Sequence, residues 1–299
     1  MRRTIILSTL LLSVATFAQA DTNYEVRYAT NPIDAQSYDT ERLRSEYLVQ
    51  KLFEDDEVNM VYTMHDRMIM GGAKPVNQAL KLEPIEPIKS SNFTEHREVG
   101  VINIGGKGVI TVGNKRYDLN NQDALYIGRG NEEVTFYSAS SSDPALFYFN
   151  SATSHASHPT KKITKAEAPT EEAGSMEAAN ARLITKYISK DNVETSQLTM
   201  GLTELKKGSV WNTMPPHTHG RRMEAYFYFN LPEDGSIAHF MGEADKTQNI
   251  WVHNQQGIIS PEWSIHAGAG TSNYSFIWGM AGENLDYTDV DEKTKQELE

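Results

Sequence analysis

The apolar pattern of this chain changes character twice. Residues 5–17 form an apolar run broken only by small polar residues. Residues 40–53 (TERLRSEYLVQKLF) then repeat Leu43, Tyr47, Leu48 and Leu52 at helical spacing. From there the apolar residues fall into short windows of strand length. These predict strands at 59–64, 99–104, 108–112, 124–127, 134–137 and 145–149, separated by turn formers such as Gly105-Gly106 and Gly113-Asn114. A polar stretch at 155–174, with Pro159, Pro169 and several Lys and Glu, reads as a linker over the surface. Strand texture resumes at 183–188, 196–205, 225–230, 237–241, 250–252 and 274–280. Many short strands with regular turn signals predict an all-β chain of sandwich or barrel type with a few short helices. The expected division is an N-terminal β domain at 21–155, a linker at 156–180, and a C-terminal β domain with its tail at 181–299.

The first twenty residues belong to neither domain. Arg2 and Arg3 precede the apolar run, and Ala18-Gln19-Ala20 closes it with small residues, the grammar of a secretory signal peptide cleaved after Ala20. The run is short for a membrane span of about 20 residues, and nothing later is long enough either. The expectation is an exported, periplasmic protein with no membrane attachment after cleavage.

Composition narrows the partners. Of 299 residues, 39% are hydrophobic and 23% charged, a soluble globular balance. The formal charge of −12 becomes −14 once Arg2 and Arg3 leave with the signal. Such a surface excludes nucleic acid, which needs a basic face to displace counterions. Anionic small molecules stay admissible, because local arginines can make a positive pocket on an acidic protein. There is no cysteine, so disulfides, thiolate nucleophiles, thiolate metal sites and a lipoprotein anchor are all excluded.

The two halves share a local pattern. Aligning Gly128 with Pro261 sets Gly130 against Trp263 and Glu133 against His266, as in a duplicated barrel whose second copy alone holds a metal. The chemistry lies in that second copy. Pro215-Pro216-His217-Thr218-His219 is followed by Glu224 at the start of a strand. Residues i and i+2 of a strand face one side, so His217 and His219 point together, a turn at 220–223 brings Glu224 beside them, and His266 arrives from a distant strand. Three imidazoles and a carboxylate suit a borderline divalent ion such as zinc, manganese, iron or nickel. Arg221 and Arg222, in the turn between the ligand segments, are candidates to clamp a substrate carboxylate, or else belong to a solvated turn. Tyr226 and Tyr228 share the face of Glu224 and are candidates for proton transfer, or else barrel-filling aromatics. Lys186 and Tyr187 are further pocket candidates.

These segments resemble the two motifs of the cupin superfamily, with Trp263 where many cupins carry glycine. More specifically, the chain resembles the 5-keto-4-deoxyuronate isomerase family through HDRMIMGG (65–72), REVGVINIGGKGVITV (97–112), DALYIGRG (123–130), PTKK (159–162), MGLTELKKGSVWNTMPPHTHGRRMEAYFYF (200–229), ISPEWSIHAGAGT (259–271) and FIWGMAGEN (276–284). The resemblance implies a double cupin, one zinc ion per subunit, a homohexamer, and a small-molecule uronate as substrate. The implied reaction converts 5-dehydro-4-deoxy-D-glucuronate to 3-deoxy-D-glycero-2,5-hexodiulosonate in pectin and uronate degradation. The signal peptide departs from a family expected in the cytoplasm. Two alternatives share the same ligands: an exported cupin oxygenase, which would consume oxygen, and a uronate-binding protein, which would bind the sugar unchanged.

Overall fold

A computed structural model describes residues 22–299; the signal peptide expected at 1–20 lies outside the described residues. Two β-barrels stand back to back, each built from a seven-stranded and a four-stranded sheet. This is the double cupin, and its halves repeat in the order of their central strands. In the first, the central strands run Val58–Thr63, Ile69–Ala73, Phe147–Thr153, Arg97–Asn103, Ala124–Ile127; in the second, Arg182–Ile188, Thr199–Leu205, Ser275–Gly282, Arg222–Phe229, Gln256–Ser260.

Alternation along these strands sorts side chains into three cores. In Arg222–Phe229, Met223, Ala225, Phe227 and Phe229 point between the barrels, while Tyr226 and Tyr228 point into the second barrel. Phe147 and Phe149 likewise fill the first barrel with Val99, Ile110 and Phe136, while Tyr148 turns outward and stacks on Phe227 with ring centroids 4.6 Å apart. The period of two in each strand therefore builds both a barrel interior and the inter-barrel core. The large sheets approach closely enough that a Cβ on Gly279 would lie 2.2 Å from Asn150 Oδ1. Glu98 is buried in this seam, where its carboxylate accepts from the N–H groups of Ser196, Gln197 and Leu198 and from the Tyr126 hydroxyl. Four donors supply what desolvating the charge removes.

Two expectations about organisation are corrected. The helix is Thr40–Tyr47, not 40–53, because Leu48–Val49 leaves it to pair with Gln256–Ser260. Its buried Leu43 and Tyr47 pack into the core of the second barrel, so part of the 21–155 segment is built into the C-terminal half. The 156–180 linker is also structured. Lys161–Ile163 pairs with Ala124–Ile127 of the first barrel, and Thr170–Ala173 with Arg182–Ile188 of the second. Polar sequence did not forbid these strands, because each lies at a sheet edge with one face in water.

Candidate metal centre and substrate cavity

The second barrel gathers His217, His219, Glu224 and His266 so that their ligand atoms all lie within 4.8 Å of one another. Local chain geometry accounts for each. The Arg222 N–H donates to the His219 carbonyl at 2.9 Å, closing the turn that folds Glu224 back beside the imidazoles. His266 ends the six-residue connection 261–266, directly before Ala267–Gly270. His219 Nε2 lies 3.0 Å from Glu224 Oε2, His266 Nε2 3.2 Å from the same oxygen, and His266 Nε2 3.0 Å from His217 Nε2. His219, Glu224 and His266 are buried.

Protonation favours ligation. Burial pulls His217 down to about 4 and His266 well below the ordinary imidazole value, so both are neutral at pH 7 with a lone pair available. His219 Nδ1 donates to the Arg222 carbonyl at 2.7 Å, which leaves its Nε2 lone pair facing the cluster. Three lone pairs and a carboxylate converging on one point fit a borderline divalent cation, which would relieve the acceptor-to-acceptor approach of His217 and His266. The first barrel differs at the matching places. Val99 pairs with Ile127 as Glu224 pairs with Ser260, and Glu133 stands last before Val134–Ser138 as His266 does before Ala267–Gly270.

The cluster opens into a cavity of about 410 Å³ whose wall includes Arg182, Thr213, Tyr226, Trp278, Tyr287 and Glu292. Tyr226 borders it, and its hydroxyl lies 3.2 Å from Thr213 Oγ1. Burial raises its phenol well above the ordinary value, so it stays protonated and serves as a donor. Tyr228 shares the face but is not in the wall. It lies two residues deeper in the barrel, where its hydroxyl meets His239 Nδ1 at 2.8 Å and Asn212 Nδ2 at 3.4 Å. Its environment is that of a core tyrosine.

The arginine expectation is corrected. Neither Arg221 nor Arg222 lines the cavity. Arg221 grips Asp289 through two bonds of 2.9 and 2.7 Å and reaches Asp291 at 3.0 Å. Arg222 is fully buried, and its Nη2 donates to the Asp289 carbonyl at 2.8 Å. Both guanidinium groups therefore hold the C-terminal segment, which pairs Asp291–Glu292 with His217–Thr218 and brings Tyr287 and Glu292 to the cavity. Lys186 and Tyr187 are also placed elsewhere: Lys186 pairs with Glu171 at 3.2 Å, and Tyr187 donates to the Gln122 carbonyl across the seam. The cation that sequence reasoning missed is Arg182. It shares the inward face of its strand with Ile184, donates to the Asn180 carbonyl at 3.0 Å, and forms no ion pair with a carboxylate among the described residues.

The Arg221 contact carries a prediction. The Arg221 guanidinium holds the Asp289 carboxyl down to about 2. A depressed carboxyl stabilises the folded chain above its unfolded value near 3.8, and that contribution fades as pH falls towards 2. Arg221→Ala should speed amide exchange across 283–293 at pH 7 while the barrels stay folded. Unaltered exchange in that segment would show that the pair does not hold it.

Comparison with known proteins agrees with this architecture. The KduI/IolB family profile matches residues 47–298. The 4-deoxy-L-threo-5-hexosulose-uronate ketol-isomerase of Bacteroides fragilis is 54% identical over 270 residues, covering 90% of this chain and 96% of the relative. That of Oceanobacillus iheyensis is 48% identical over 275 residues, covering 92% and 99%. Among solved structures, an IolB-like protein from Salmonella typhimurium superposes with a TM-score of 0.64 at 15% identity, covering 76% of this chain and 87% of that one. The oxalate decarboxylase of Lactobacillus farciminis gives 0.53 at 9% identity over 75% and 79%, a likeness of fold alone. With the family's pattern running from the end of its helix to the C-terminal segment over the cavity, the chain belongs to the KduI/IolB family, beside its ketol-isomerases.

Proposed function

We propose that the second-barrel cavity isomerises 5-dehydro-4-deoxy-D-glucuronate to 3-deoxy-D-glycero-2,5-hexodiulosonate, with one zinc ion per subunit held by His217, His219, Glu224 and His266. The observation that carries this reading is a four-donor cluster and a guanidinium, Arg182, with no carboxylate partner among the described residues, on the wall of one cavity. The relatives' ketol-isomerase names support the reaction class.

An aldose–ketose isomerisation moves a proton between neighbouring carbons through an enediol, and its barrier lies in negative charge developing on oxygen. A bound divalent ion would supply Lewis-acid stabilisation of that charge, worth several kcal/mol. The chain's own residues do the rest. Arg182 binds the sugar-acid carboxylate and so fixes which end of the substrate faces the cluster. Tyr226, kept protonated by burial, donates a hydrogen bond to a substrate oxygen. Trp278, Tyr287 and Phe276 wall the cavity with rings that limit water around the reacting carbons. The decisive experiment incubates the purified protein with the unsaturated-uronate breakdown product and follows isomers by NMR, with and without oxygen, with zinc or with chelator. No turnover by zinc-loaded protein would remove the proposal; oxygen-dependent turnover would favour an oxygenase.

We further propose, from the charged start, apolar run and Ala18-Gln19-Ala20 end, that the mature protein begins at Asp21 and acts outside the cytoplasm, and, from the family resemblance alone, that it is a homohexamer. Intact-mass analysis of protein from the periplasmic fraction should give a chain starting at Asp21, and sedimentation should give a hexamer. A chain retaining Met1, or a monomer at micromolar concentration, would count against export or assembly respectively.

A further inference from the structure

The turn His65-Asp66-Arg67 of the first barrel touches both segments that carry the second barrel's ligand cluster, and neither contact is explained by the reaction. Asp66 Oδ2 accepts the Met223 N–H at 2.8 Å. Met223 lies one residue beyond Glu224–Ser260, the last rung between its strand and Gln256–Ser260, where Pro261 ends the neighbouring strand. Its N–H would have no ladder partner, and Asp66 supplies one. Met223 also separates Arg222, whose carbonyl orients His219, from Glu224. The other contact is made by His65, which is buried. Its Nε2 accepts from the Thr30 N–H at 3.2 Å, so Nδ1 carries the proton and donates to Glu262 Oε2 at 2.9 Å. Glu262 stands in the 261–266 connection that delivers His266.

The turn itself is held in a costly shape. Asp66 and Arg67 have φ of 44° and 54°, two adjacent non-glycine residues in the left-handed region. The Arg67 carbonyl accepts from Arg97 Nη2 at 2.6 Å, and Arg97 is buried and also bound to Ser151. Strained backbone persists where its surroundings over-determine it, and here they aim two side chains at two ligand-bearing segments.

We infer that Asp66 and His65 are positioning residues, through which the first barrel sets the geometry of the ligand cluster in the second. The inference rests on the metal reading above, for which these contacts act as outer partners that orient ligands rather than as ligands. A seam contact that only glued the barrels together would affect stability alone. A positioning contact also alters the affinity and geometry of the site in protein that remains folded.

The test measures metal, not turnover. Zinc affinity is read by chelator competition, and the absorption spectrum of the cobalt-substituted protein reports ligand geometry, both on full-length mature protein checked by circular dichroism. Asp66→Ala should raise the zinc dissociation constant about 10–100-fold and shift the cobalt bands. Asp66→Asn, whose amide oxygen can accept the same N–H, should restore both towards wild type. Glu262→Ala, at a side chain 39% exposed, should move both readouts in the same direction. Folded Asp66→Ala with wild-type affinity and spectrum would overturn the inference. Should Asp66→Ala fail to fold, wild-type values in Glu262→Ala would overturn it equally. Wild-type protein that binds no divalent metal would instead overturn the metal reading itself, a result separable from either.

Discussion

His266→Ala is expected to lower metal content and turnover together, while the barrels stay folded. His266 is buried, and its Nε2 stands within 3.2 Å of both Glu224 and His217, at the middle of the donor set. Removing it deletes one of four converging donors and leaves the other three on a scaffold shaped for four, so zinc affinity should fall. If the ion contributes about 4 kcal/mol to the developing oxyanion, its loss should cost on the order of 1000-fold in rate. The fold should survive, because the apolar cores of both barrels and the seam contain no part of the cluster. Metal analysis, circular dichroism and the NMR assay on one preparation read all three quantities. Full zinc occupancy, or activity within tenfold of wild type, would show that the cluster is not the metal centre.

Arg182→Ala should leave zinc content normal and raise KM with kcat less affected. A carboxylate remote from the reacting carbons is bound alike in ground and transition states, so its loss weakens binding more than chemistry. A hydrogen bond to a charged group is worth about 1.5–3 kcal/mol, hence a fall of about 10- to 150-fold in kcat/KM. Arg182→Lys should recover little, since an ammonium cannot reproduce the planar two-bond fork. The Arg182 strand is held on both sides by Thr170–Ala173 and Thr199–Leu205, so neither substitution should disturb the barrel. An unchanged KM in both variants would remove Arg182 from the substrate site.

The reassignment from Arg221 and Arg222 to Arg182 marks where sequence reasoning reached its limit. Adjacency to the ligand motif suggested the first two, but adjacency says nothing about what returns to meet them. Asp289 comes from sixty-odd residues away and takes both. Arg182 sits apart from any motif, and only the ladder register turns it inward with Ile184. The strands missed by apolar pattern have a similar cause. Ile69–Ala73 and Ala267–Gly270 are glycine-rich and Lys115–Leu119 is charged, so they owe their conformation to the partners they pair with. Tyr228 was placed on the correct face, yet its depth in the barrel was set by distant packing.

What the chain alone determined was local. The period of two made Glu224 share a face with Tyr226, the H-x-H spacing aligned two imidazoles, and the equal six-residue connections set Glu133 against His266; each follows from backbone geometry within a few residues. The all-β class followed from the density of turns. Tertiary structure alone decided which side chains from distant segments share the cavity, which arginine on its wall lacks a carboxylate partner among the described residues, and that Leu48–Val49 edges the second barrel while Lys161–Ile163 edges the first. Those outcomes depend on non-local pairing and on competition for the same guanidinium groups, and neither leaves a periodic trace along the chain.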